Sequence, residues 1–522
     1  MNNQQNESPF SNPRFILSII LVFVFLWAWQ YYVNKKYPPQ LNKPVVTTQA
    51  TAPATGAASE AAVKAIEPSQ LISNDATVQE KSFQYEDENV KWEISSKGMS
   101  FGNYTLKKYF DKAKKPIVFA DTNKTLSTLV NSKEINFDLN RVSEVQYVGT
   151  AAVEGSNIKR TVTYNKDTMS FDVETEFDAA PKNISFLLTD RKHESSGGNF
   201  LMPTFERQIM LFRSEDKIKT EQVSAVKAGE THTASAGLVS LAAIGTQYFT
   251  QGLVNKSDVL PSISGHISDA GAKLEVIYDL KDTKVTKLLN KFYMGPKTVD
   301  NLNKIDPLLP EVMDYGMFGF ISKLLLKLMK FLHGILGNWG LAIIALTLVM
   351  RMIMLPFNIM SFRSARAMQK IQPQLQAVRE RYKNDPMAVN RETMALMKQH
   401  NANPLSSCLP MLLQIPVFFA LWQTIGSSIE IYQQPFFGWI TDLSSHDPLF
   451  IIPVLMGITM YLQQKMTPTT MDPTQQKILN FMPIIFSVFM LSLPSGLTLY
   501  NFVSSLFGVV QQYFLLKDNS KA

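Results

Sequence analysis

The 522-residue sequence predicts a membrane α-helical bundle of six transmembrane helices, five of them clustered in the C-terminal half, plus an all-β domain outside the membrane. Two observations predict this fold class. Long uncharged runs are concentrated at residues 15–34 and beyond residue 331, as in helices that cross a bilayer. Residues 78–305 instead alternate polar and apolar side chains, which is the period of β-strands.

The composition excludes several classes of protein. The single cysteine, Cys408, cannot support a disulfide framework, a four-cysteine zinc site or a cysteine-held iron–sulfur cluster. The six histidines contain no H-E-x-x-H motif, and no G-x-x-x-x-G-K-[ST] loop for phosphate binding occurs. We therefore do not expect a P-loop nucleotide engine, and we expect no cofactor or metal.

The N-terminal run at residues 15–34 has the length of one membrane crossing, because 20 helical residues span about 30 Å. A cleaved signal peptide is the alternative, but Tyr31, Tyr32, Lys35 and Lys36 follow the run where a small-residue cleavage site belongs. Residues 1–35 are therefore predicted to be an uncleaved anchor. Residues 36–77, which are poor in bulky apolar side chains, are predicted to be a flexible linker.

Residues 78–310 are predicted to form a β-sandwich. Period-two alternation is clear at residues 90–94, 135–139, 171–177 and 274–278. A carbohydrate-binding or carbohydrate-converting cleft is one interpretation, with Glu174, Glu176 and His193 as its candidates. Carboxylates at alternate strand positions more often form the solvated face of a sheet, and we favour that interpretation.

Residues 311–333 are predicted to form an amphipathic helix on the membrane surface. Lys323, Lys327 and Lys330 recur at steps of four and three, and most of the other side chains are apolar. Such a helix would brace the β domain against the bilayer. The alternative is a core helix of that domain.

Residues 334–522 are predicted to contain the five clustered helices. The runs are residues 339–361, 404–428, 448–464 and 478–516, and Pro494-Ser495-Gly496 divides the last into two helices. The segment 358–405 carries eight basic and three acidic residues, which places it in the cytoplasm by the positive-inside rule. Both termini are then cytoplasmic and the β domain lies on the opposite side.

Within the basic segment, residues 362–402 are predicted to form a cytoplasmic helical hairpin. Met368, Ile371, Leu375 and Val378 are spaced as one helix face, and Asn384-Asp385-Pro386 is a turn that starts a second helix. The surface could meet acidic lipid headgroups, ribosomal RNA or an acidic protein, or it could serve only to set topology. Its basic side chains include Arg363, Arg366, Lys370, Arg379, Arg381 and Lys383.

One charge lies near the middle of a predicted membrane helix. Arg351 is 12 residues from Trp339 and 10 from Ser361, and an arginine at that depth costs roughly 2.5–3.5 kcal/mol. No Asp or Glu occurs inside the other predicted helices, so an ion pair is not expected. We therefore expect Arg351 to face a polar cavity.

Polar side chains near Arg351 support a cavity. Thr347 and Asn358 share its helix face, and a stripe on the last helix is spaced three or four residues apart. Small polar residues in membrane helices often only hold helices together, which is the alternative for each one. The other predicted cavity residues are Gln414, Thr498, Asn501, Ser505 and Gln512.

Several motifs resemble the YidC-type membrane protein insertases, of the Gram-negative type. They are Asn-Pro-Leu-Ser-Ser-Cys-Leu-Pro-Met-Leu-Leu-Gln-Ile-Pro-Val-Phe at 403–418, and the segments 442–448, 455–457, 472–477, 482–483 and 494–497. Two departures are Ser406-Ser407, where relatives usually have two glycines, and a short C-terminal tail. The short tail puts tail-based ribosome docking in doubt.

The resemblance implies a function and a place in the cell. Such a protein is not an enzyme. It inserts nascent membrane proteins into the bacterial inner membrane, alone or with the Sec translocon, and functions as a monomer in contact with membrane lipids. A ribosome contact would use the basic hairpin. The groove would include Arg351, Thr347 and Gln414, with Trp439 near its outer end, and the periplasmic domain would be a β-supersandwich related to sugar mutarotases.

Two other functions fit parts of the sequence. An anion transporter or channel could use a cavity with one arginine, but it predicts an internal repeat that the five helices lack. A membrane-tethered periplasmic sugar enzyme predicts activity in residues 78–305 alone.

Overall fold

The structure of the protein is a computed structural model that describes most of the chain from residue 80 onward. The described ranges are 80–111, 114–120, 124–153, 155–192, 208–223, 226, 229–281, 283–313, 315, 318–383, 385–400, 404–467 and 473–518. The predicted anchor and linker, together with His193 and Asn384, lie outside the described residues.

Nineteen β-strands follow residue 80 and confirm that this part of the chain is rich in β-sheet. They are β1 (Ser82–Glu86), β2 (Val90–Ser95), β3 (Phe101–Phe110), β4 (Pro116–Phe119), β5 (Ser127–Val130), β6 (Lys133–Glu134), β7 (Asp138–Arg141), β8 (Gln146–Val153), β9 (Ser156–Asn165), β10 (Ser170–Phe177), β11 (Asn183–Arg191), β12 (Ile209–Ser214), β13 (Lys217–Gln222), β14 (His232–Ala236), β15 (Val239–Gly245), β16 (Phe249–Asn255), β17 (Ser262–Ser268), β18 (Gly271–Asp279) and β19 (Lys287–Pro296).

The strands form three sheets, and their pairings are antiparallel. Their orders are β1-β2-β3-β4, then β13-β12-β15-β16-β19-β10-β9-β8-β7, and β14-β17-β18-β11-β5-β6. Side chains from all three sheets share one core, where Trp92 lies 5.5 Å from Phe101 and 5.4 Å from Phe171 between ring centroids. Such aromatic pairs bury large apolar areas and hold the sheets in a fixed relation.

Strand β10 shows how the alternating sequence produces the two faces. Phe171, Val173 and Phe177 are buried in the core, and the carboxylates lie between them. Glu174 pairs with Lys287 on β19, and Glu176 lies 3.0 Å from the amine of Lys159 on β9. These carboxylates therefore form ion pairs on the partly exposed face of the sheet.

Eight α-helices and two short 3-10 helices are described after the sheets. The 3-10 helices are Leu309–Val312 and Ile429–Ile431. The α-helices are α1 (Val299–Ile305), α2 (Gly319–Leu336), α3 (Trp339–Arg381), α4 (Pro386–Gln399), α5 (Pro404–Ser427), α6 (Ile451–Met466), α7 (Pro473–Met490) and α8 (Ser495–Asp518).

Helix α3 is, among the described residues, the one helix long and apolar enough to cross a membrane by length and composition. Shorter apolar helical runs occupy Leu412–Ser427 and Leu479–Met490. The helical part of the fold is therefore confirmed, whereas the count of six transmembrane helices remains a prediction.

Helix α3 continues without a break from the predicted membrane helix into the first arm of the hairpin. It runs for 43 residues and includes Pro356 and Pro373, each of which removes only one backbone hydrogen bond. The second arm is α4, whose first backbone N–H groups donate to the side chain of Asp385. Ile371 and Leu375 are buried against α4, so the two arms share a small core of their own.

Helix α2 begins later than the sequence pattern predicts. Val312 ends a separate 3-10 turn, and Met313 has extended backbone, which breaks the helix expected from residue 311. α2 buries Leu325 and Met329, whereas Phe320 and Phe331 on another face are 84% and 64% exposed. A helix with one buried and one exposed apolar face is suited to the membrane surface.

The β domain and the helices are joined by the segment 429–433, between α5 and α6. Ile429 is buried in the core of the sheets, and Ile431 is buried in the core of the helices. The Tyr432 hydroxyl donates to the Phe110 carbonyl at 2.6 Å. This segment therefore contacts both the β domain and the helical part of the molecule.

An ion-pair cluster supports the same junction from α2. The Lys330 amine lies 2.8 Å from Glu430 and 2.9 Å from Asp300. Burial lowers the pKa of Lys330, but the hydrogen bonds and charges of the two carboxylates outweigh burial and raise that pKa above its usual value. Lys330 therefore stays charged and connects α1, α2 and the segment 429–433.

Candidate functional site

Arg351 lies on the part of α3 that is predicted to span the membrane, and it is partly buried. Its Nε and Nη2 groups donate to the hydroxyl oxygen of Ser504 on α8, at 2.8 and 2.5 Å. No carboxylate in the described ranges forms an ion pair with Arg351. The sequence did not identify Ser504 as the partner of Arg351.

Two further side chains extend this polar region across a third helix. Gln414 on α5 donates from Nε2 to the Tyr500 hydroxyl on α8 at 2.8 Å. Tyr500 is buried and precedes Ser504 by four residues, one helical turn. We call Arg351, Gln414, Tyr500 and Ser504 the Arg351 cluster, and it joins α3, α5 and α8.

The other predicted residues of α3 differ in their surroundings. Thr347 is fully buried, and its hydroxyl donates to the Ile343 carbonyl of its own helix at 2.7 Å. Its polar atom is therefore already used within α3. Asn358 lies further along the helix and is partly exposed.

Trp439 lies in the loop before α6 and is 38% exposed. Its Nε1 donates to Asp447 at 2.9 Å, and Asp447 also accepts from the backbone N–H of Ile452 at the start of α6. The buried Asp447 therefore caps α6 and fixes the indole ring at the same time.

The polar stripe on α8 is directed mainly toward α6. The Ser505 hydroxyl lies 2.6 Å from that of Thr459, and Gln512 donates to Thr467 at 2.9 Å. Thr498 and Asn501 donate to carbonyls of their own helix. The spacing identified a stripe, but it did not tell which neighbouring helix the stripe meets.

Sequence reasoning missed Tyr500 and Ser504, which hold the Arg351 cluster together. The two residues are four apart and so share one face of α8, beside the face of the predicted stripe. That spacing was a usable signal, but the predicted stripe runs through the adjacent Ser505, which lies on another face of α8. Consecutive residues on a helix lie about 100° apart, so Ser504 and Ser505 meet different partners.

The basic residues of the hairpin remain accessible. Arg363, Lys370, Arg379, Arg381 and Lys383 are exposed, and the Arg366 guanidinium lies 5.8 Å from the ring centroid of Phe362. They therefore present positive charge at the end of the molecule opposite the β domain along α3.

The Arg351 cluster consists of groups that can bind and position polar atoms. It contains one guanidinium, one amide and two hydroxyls, with no base beside a hydroxyl to activate it. In the described parts of the chain, no group of three His, Cys, Asp or Glu side chains could hold a metal ion.

Two family models match adjacent parts of the chain. Residues 83–328 match the YidC periplasmic domain, and residues 331–522 match the 60Kd inner membrane protein. A solved structure described as an active YidC insertase with its first transmembrane domain resolved is 18% identical, covers 86% of this chain and 95% of its own, and has a TM-score of 0.38.

Several proteins named membrane protein insertase YidC are similar in sequence. That of Geotalea daltonii is 31% identical, with 97% of this chain and 99% of the relative covered. The protein of Campylobacter jejuni is 29% identical, and the match covers 100% of this chain and 98% of the relative. That of Geobacter sulfurreducens is 37% identical over 59% of this chain and 58% of the relative. None of these relatives is named a transporter or channel. The chain belongs to the YidC family of membrane protein insertases, inner-membrane proteins with a periplasmic domain.

Proposed function

We propose that the protein receives nascent membrane proteins in a polar groove around the Arg351 cluster and releases their helices into the lipid bilayer. The observation that carries this proposal is a guanidinium on a membrane helix whose hydrogen-bond partner is a hydroxyl, not a carboxylate. A charge without a counter-charge at such depth is rare in membrane helices and generally marks a functional pathway.

Arg351 has the capacity to bind an incoming acidic group. A guanidinium carries five N–H donors, and the Ser504 hydroxyl accepts two of them. The remaining donors can hold a carboxylate of a client, while Gln414 and Tyr500 supply neutral polar contacts. A polar client segment then does not have to cross the full hydrocarbon thickness without hydrogen bonds.

Apolar surfaces beside the groove suit the release step. On α5, Leu412 and Phe419 are exposed, and on α7, Phe481, Ile484 and Ile485 are exposed. These two helices contact each other through Phe418 and Phe486, at 6.5 Å between ring centroids. A client helix could slide along this pair into lipid, driven by burial of its own apolar surface.

The proposed topology places six helices in the membrane: the anchor at residues 15–34, the first half of α3, and α5, α6, α7 and α8. Because α3 is about 65 Å long at 1.5 Å per residue, its second half must leave the bilayer. That half and α4 would lie in the cytoplasm, where their basic residues can meet lipid headgroups or a ribosome. The β domain would lie in the periplasm and both termini in the cytoplasm.

A reconstituted insertion assay tests the role of Arg351. The variants R351A and R351K are compared on two clients that differ only in whether the translocated polar segment is acidic or neutral. We expect R351A to lose roughly tenfold on the acidic client, as for one charge-assisted hydrogen bond, and R351K to lose less.

The matched control is R363A, which removes an exposed arginine from the same helix. It should insert both clients normally. Full activity of R351A on the acidic client would contradict the electrostatic role. Partners such as the Sec translocon can be tested by crosslinking from the outer face of the β domain, and a monomer is expected to suffice in the assay.

A further inference from the structure

A cavity of about 130 Å³ lies where the nine-stranded sheet meets the outer ends of α5 and α8. One water molecule needs only about 10–15 Å³ of such space, so the cavity can hold a polyatomic group. Seven of its thirteen lining residues are polar, and none of the thirteen is Asp or Glu. The cavity is separate from the Arg351 cluster, since it shares no residue with it.

Five of the seven polar lining residues come from the nine-stranded sheet and its loops, and the other two, Gln423 and Ser427, lie on α5. Lys297, which follows β19, lines the cavity and is 4% exposed, and Gln222 and Gln247 line it beside Lys297. An ammonium group taken out of water is costly unless anionic or polar groups surround it. It carries three N–H donors, so it can bind an anion in addition to its protein contacts. Amide N–H groups nearby are suitable further donors to phosphate oxygens.

The apolar side of the cavity comes from the membrane helices. The lining residues there are Trp422 on α5, Pro494 immediately before α8, and Leu497 on α8. In the proposed topology these are the periplasmic ends of their helices, at the depth of the lipid headgroups. Tryptophan is enriched at that depth because its ring contacts both apolar and polar parts of the lipid.

We propose that this cavity binds the headgroup of an anionic phospholipid from the outer leaflet. Lys297 and the neighbouring amides hold the phosphate, and Trp422 and Leu497 contact the glycerol and the start of the acyl chains. A lipid in this place would fill the seam between the β domain and the membrane helices. The site depends on the proposed membrane orientation and not on the insertase activity.

The test uses the full chain, purified in mild detergent and titrated with dihexanoyl phosphatidylglycerol or, separately, with inorganic phosphate. Native mass spectrometry counts the bound molecules. We expect one phosphatidylglycerol per chain, and roughly tenfold weaker binding by K297Q because one charge-assisted contact is lost. G426L should abolish binding, since even a Cβ at Gly426 would lie 3.5 Å from Gln247 Nε2 and a leucine would occupy the cavity.

Matched controls separate the site from general effects. K327Q removes an exposed lysine on α2, and G334L adds the same leucine to α2 where a Cβ meets nothing within 4 Å. Both should bind lipid normally. Equal binding by G426L and the unaltered chain would overturn the site, even if K297Q fails to fold. Binding of inorganic phosphate at least as tight as that of the lipid would overturn the lipid assignment. The lipid titration contains no client protein. R351A should therefore bind lipid normally, whether or not the insertion proposal holds.

Discussion

Arg160 in the β domain and Arg351 in the helical region both form no ion pair with a carboxylate of the described residues, but their surroundings differ. Arg160 on β9 is fully buried and donates from Nη1 to the carbonyls of Gly98 and Leu126, at 3.0 and 3.3 Å, and to the Thr128 hydroxyl. Its guanidinium also lies 5.0 Å from the ring centroid of Phe186. Arg351 on α3 is only partly buried and donates to one hydroxyl.

The difference separates a structural arginine from a binding arginine. The partners of Arg160 come from the four-stranded and six-stranded sheets or their connecting turns, and Arg160 itself lies on β9 of the nine-stranded sheet, so the side chain ties three sheets together. Burial lowers the pKa of Arg160 to about 9, and the group is therefore still charged at neutral pH. Both arginines have N–H donors without a partner among the described residues, but those of Arg160, on Nε and Nη2, are enclosed in the core. Arg351 is only partly buried and has a single partner on one neighbouring helix, so its remaining donors can bind another molecule.

The largest effect is expected from R160A. This change removes a hydrogen-bond donor from three buried acceptors and creates a cavity, which together should lower the free energy of unfolding of the β domain by about 3–5 kcal/mol. Hydrogen exchange of the β5 and β9 amides in the full chain measures this. K159A is the control, because Lys159 is the adjacent exposed residue on β9 and its ion pair is worth less than about 1 kcal/mol. Unchanged exchange in R160A would mean that Arg160 does not join the sheets.

The second prediction concerns R351M, which should separate function from stability. Insertion of an acidic client should fall by roughly tenfold, whereas the free energy of unfolding should change by less than about 1 kcal/mol. The stability effect is small because Met packs well among apolar neighbours and the Ser504 hydroxyl can bond to a carbonyl of its own helix. R363M is the control for a loss of positive charge. A loss of stability as large as that of R160A would make Arg351 a structural residue too.

Much of the difference between Arg160 and Arg351 can be predicted from the sequence. Ile158, Arg160 and Val162 alternate with Lys159 and Thr161 along β9, so the period of two already directs Arg160 inward. The uncharged run around Arg351 likewise predicted its depth, and Asp385-Pro386 predicted the start of α4. Local periodicity and capping are encoded within a few residues, and these features were therefore predictable.

The partners of the two arginines were not predictable from the sequence. Ser504 is 153 residues from Arg351, and Thr128 is 32 residues from Arg160. Such contacts depend on how helices rotate against each other and how sheets are stacked, which a single strand or helix does not specify. For the same reason the stripe through Ser505 was assigned to the groove, although its hydrogen bond is to α6.

The third prediction concerns a buried carboxyl group of the β domain whose ionisation depends on pH. Glu275 on β18 is 8% exposed and accepts a hydrogen bond from Ser185 at 2.6 Å. Burial raises its pKa, although the Ser185 hydroxyl opposes the shift. The folded domain therefore favours the protonated carboxyl of Glu275. The resulting stabilisation is complete at pH values below the pKa of Glu275 in the unfolded chain. It is lost as the pH rises through the pKa of Glu275 in the folded domain.

The variant E275Q should remove this dependence on pH. The neutral amide keeps an acceptor for Ser185, so at pH 7 the β domain should be more stable by about 1 kcal/mol, and near pH 4 the gain should vanish. Hydrogen exchange of β18 at the two pH values measures the difference. E230Q, at an exposed acidic residue of the same domain, is the control. An equal gain at both pH values would show that ionisation of Glu275 is not the cause.

The smallest effect is expected from S504A, which removes the one hydroxyl that positions Arg351. The guanidinium keeps its charge, so insertion of an acidic client should fall by only about threefold, as for a neutral hydrogen bond of roughly 0.5–1 kcal/mol. S505A is a close control, because the neighbouring serine bonds to Thr459 on α6 and should not affect the choice between acidic and neutral clients. If S505A instead reduces insertion of the acidic client more than S504A does, the groove follows the stripe that faces α6, and Arg351 does not define its surface.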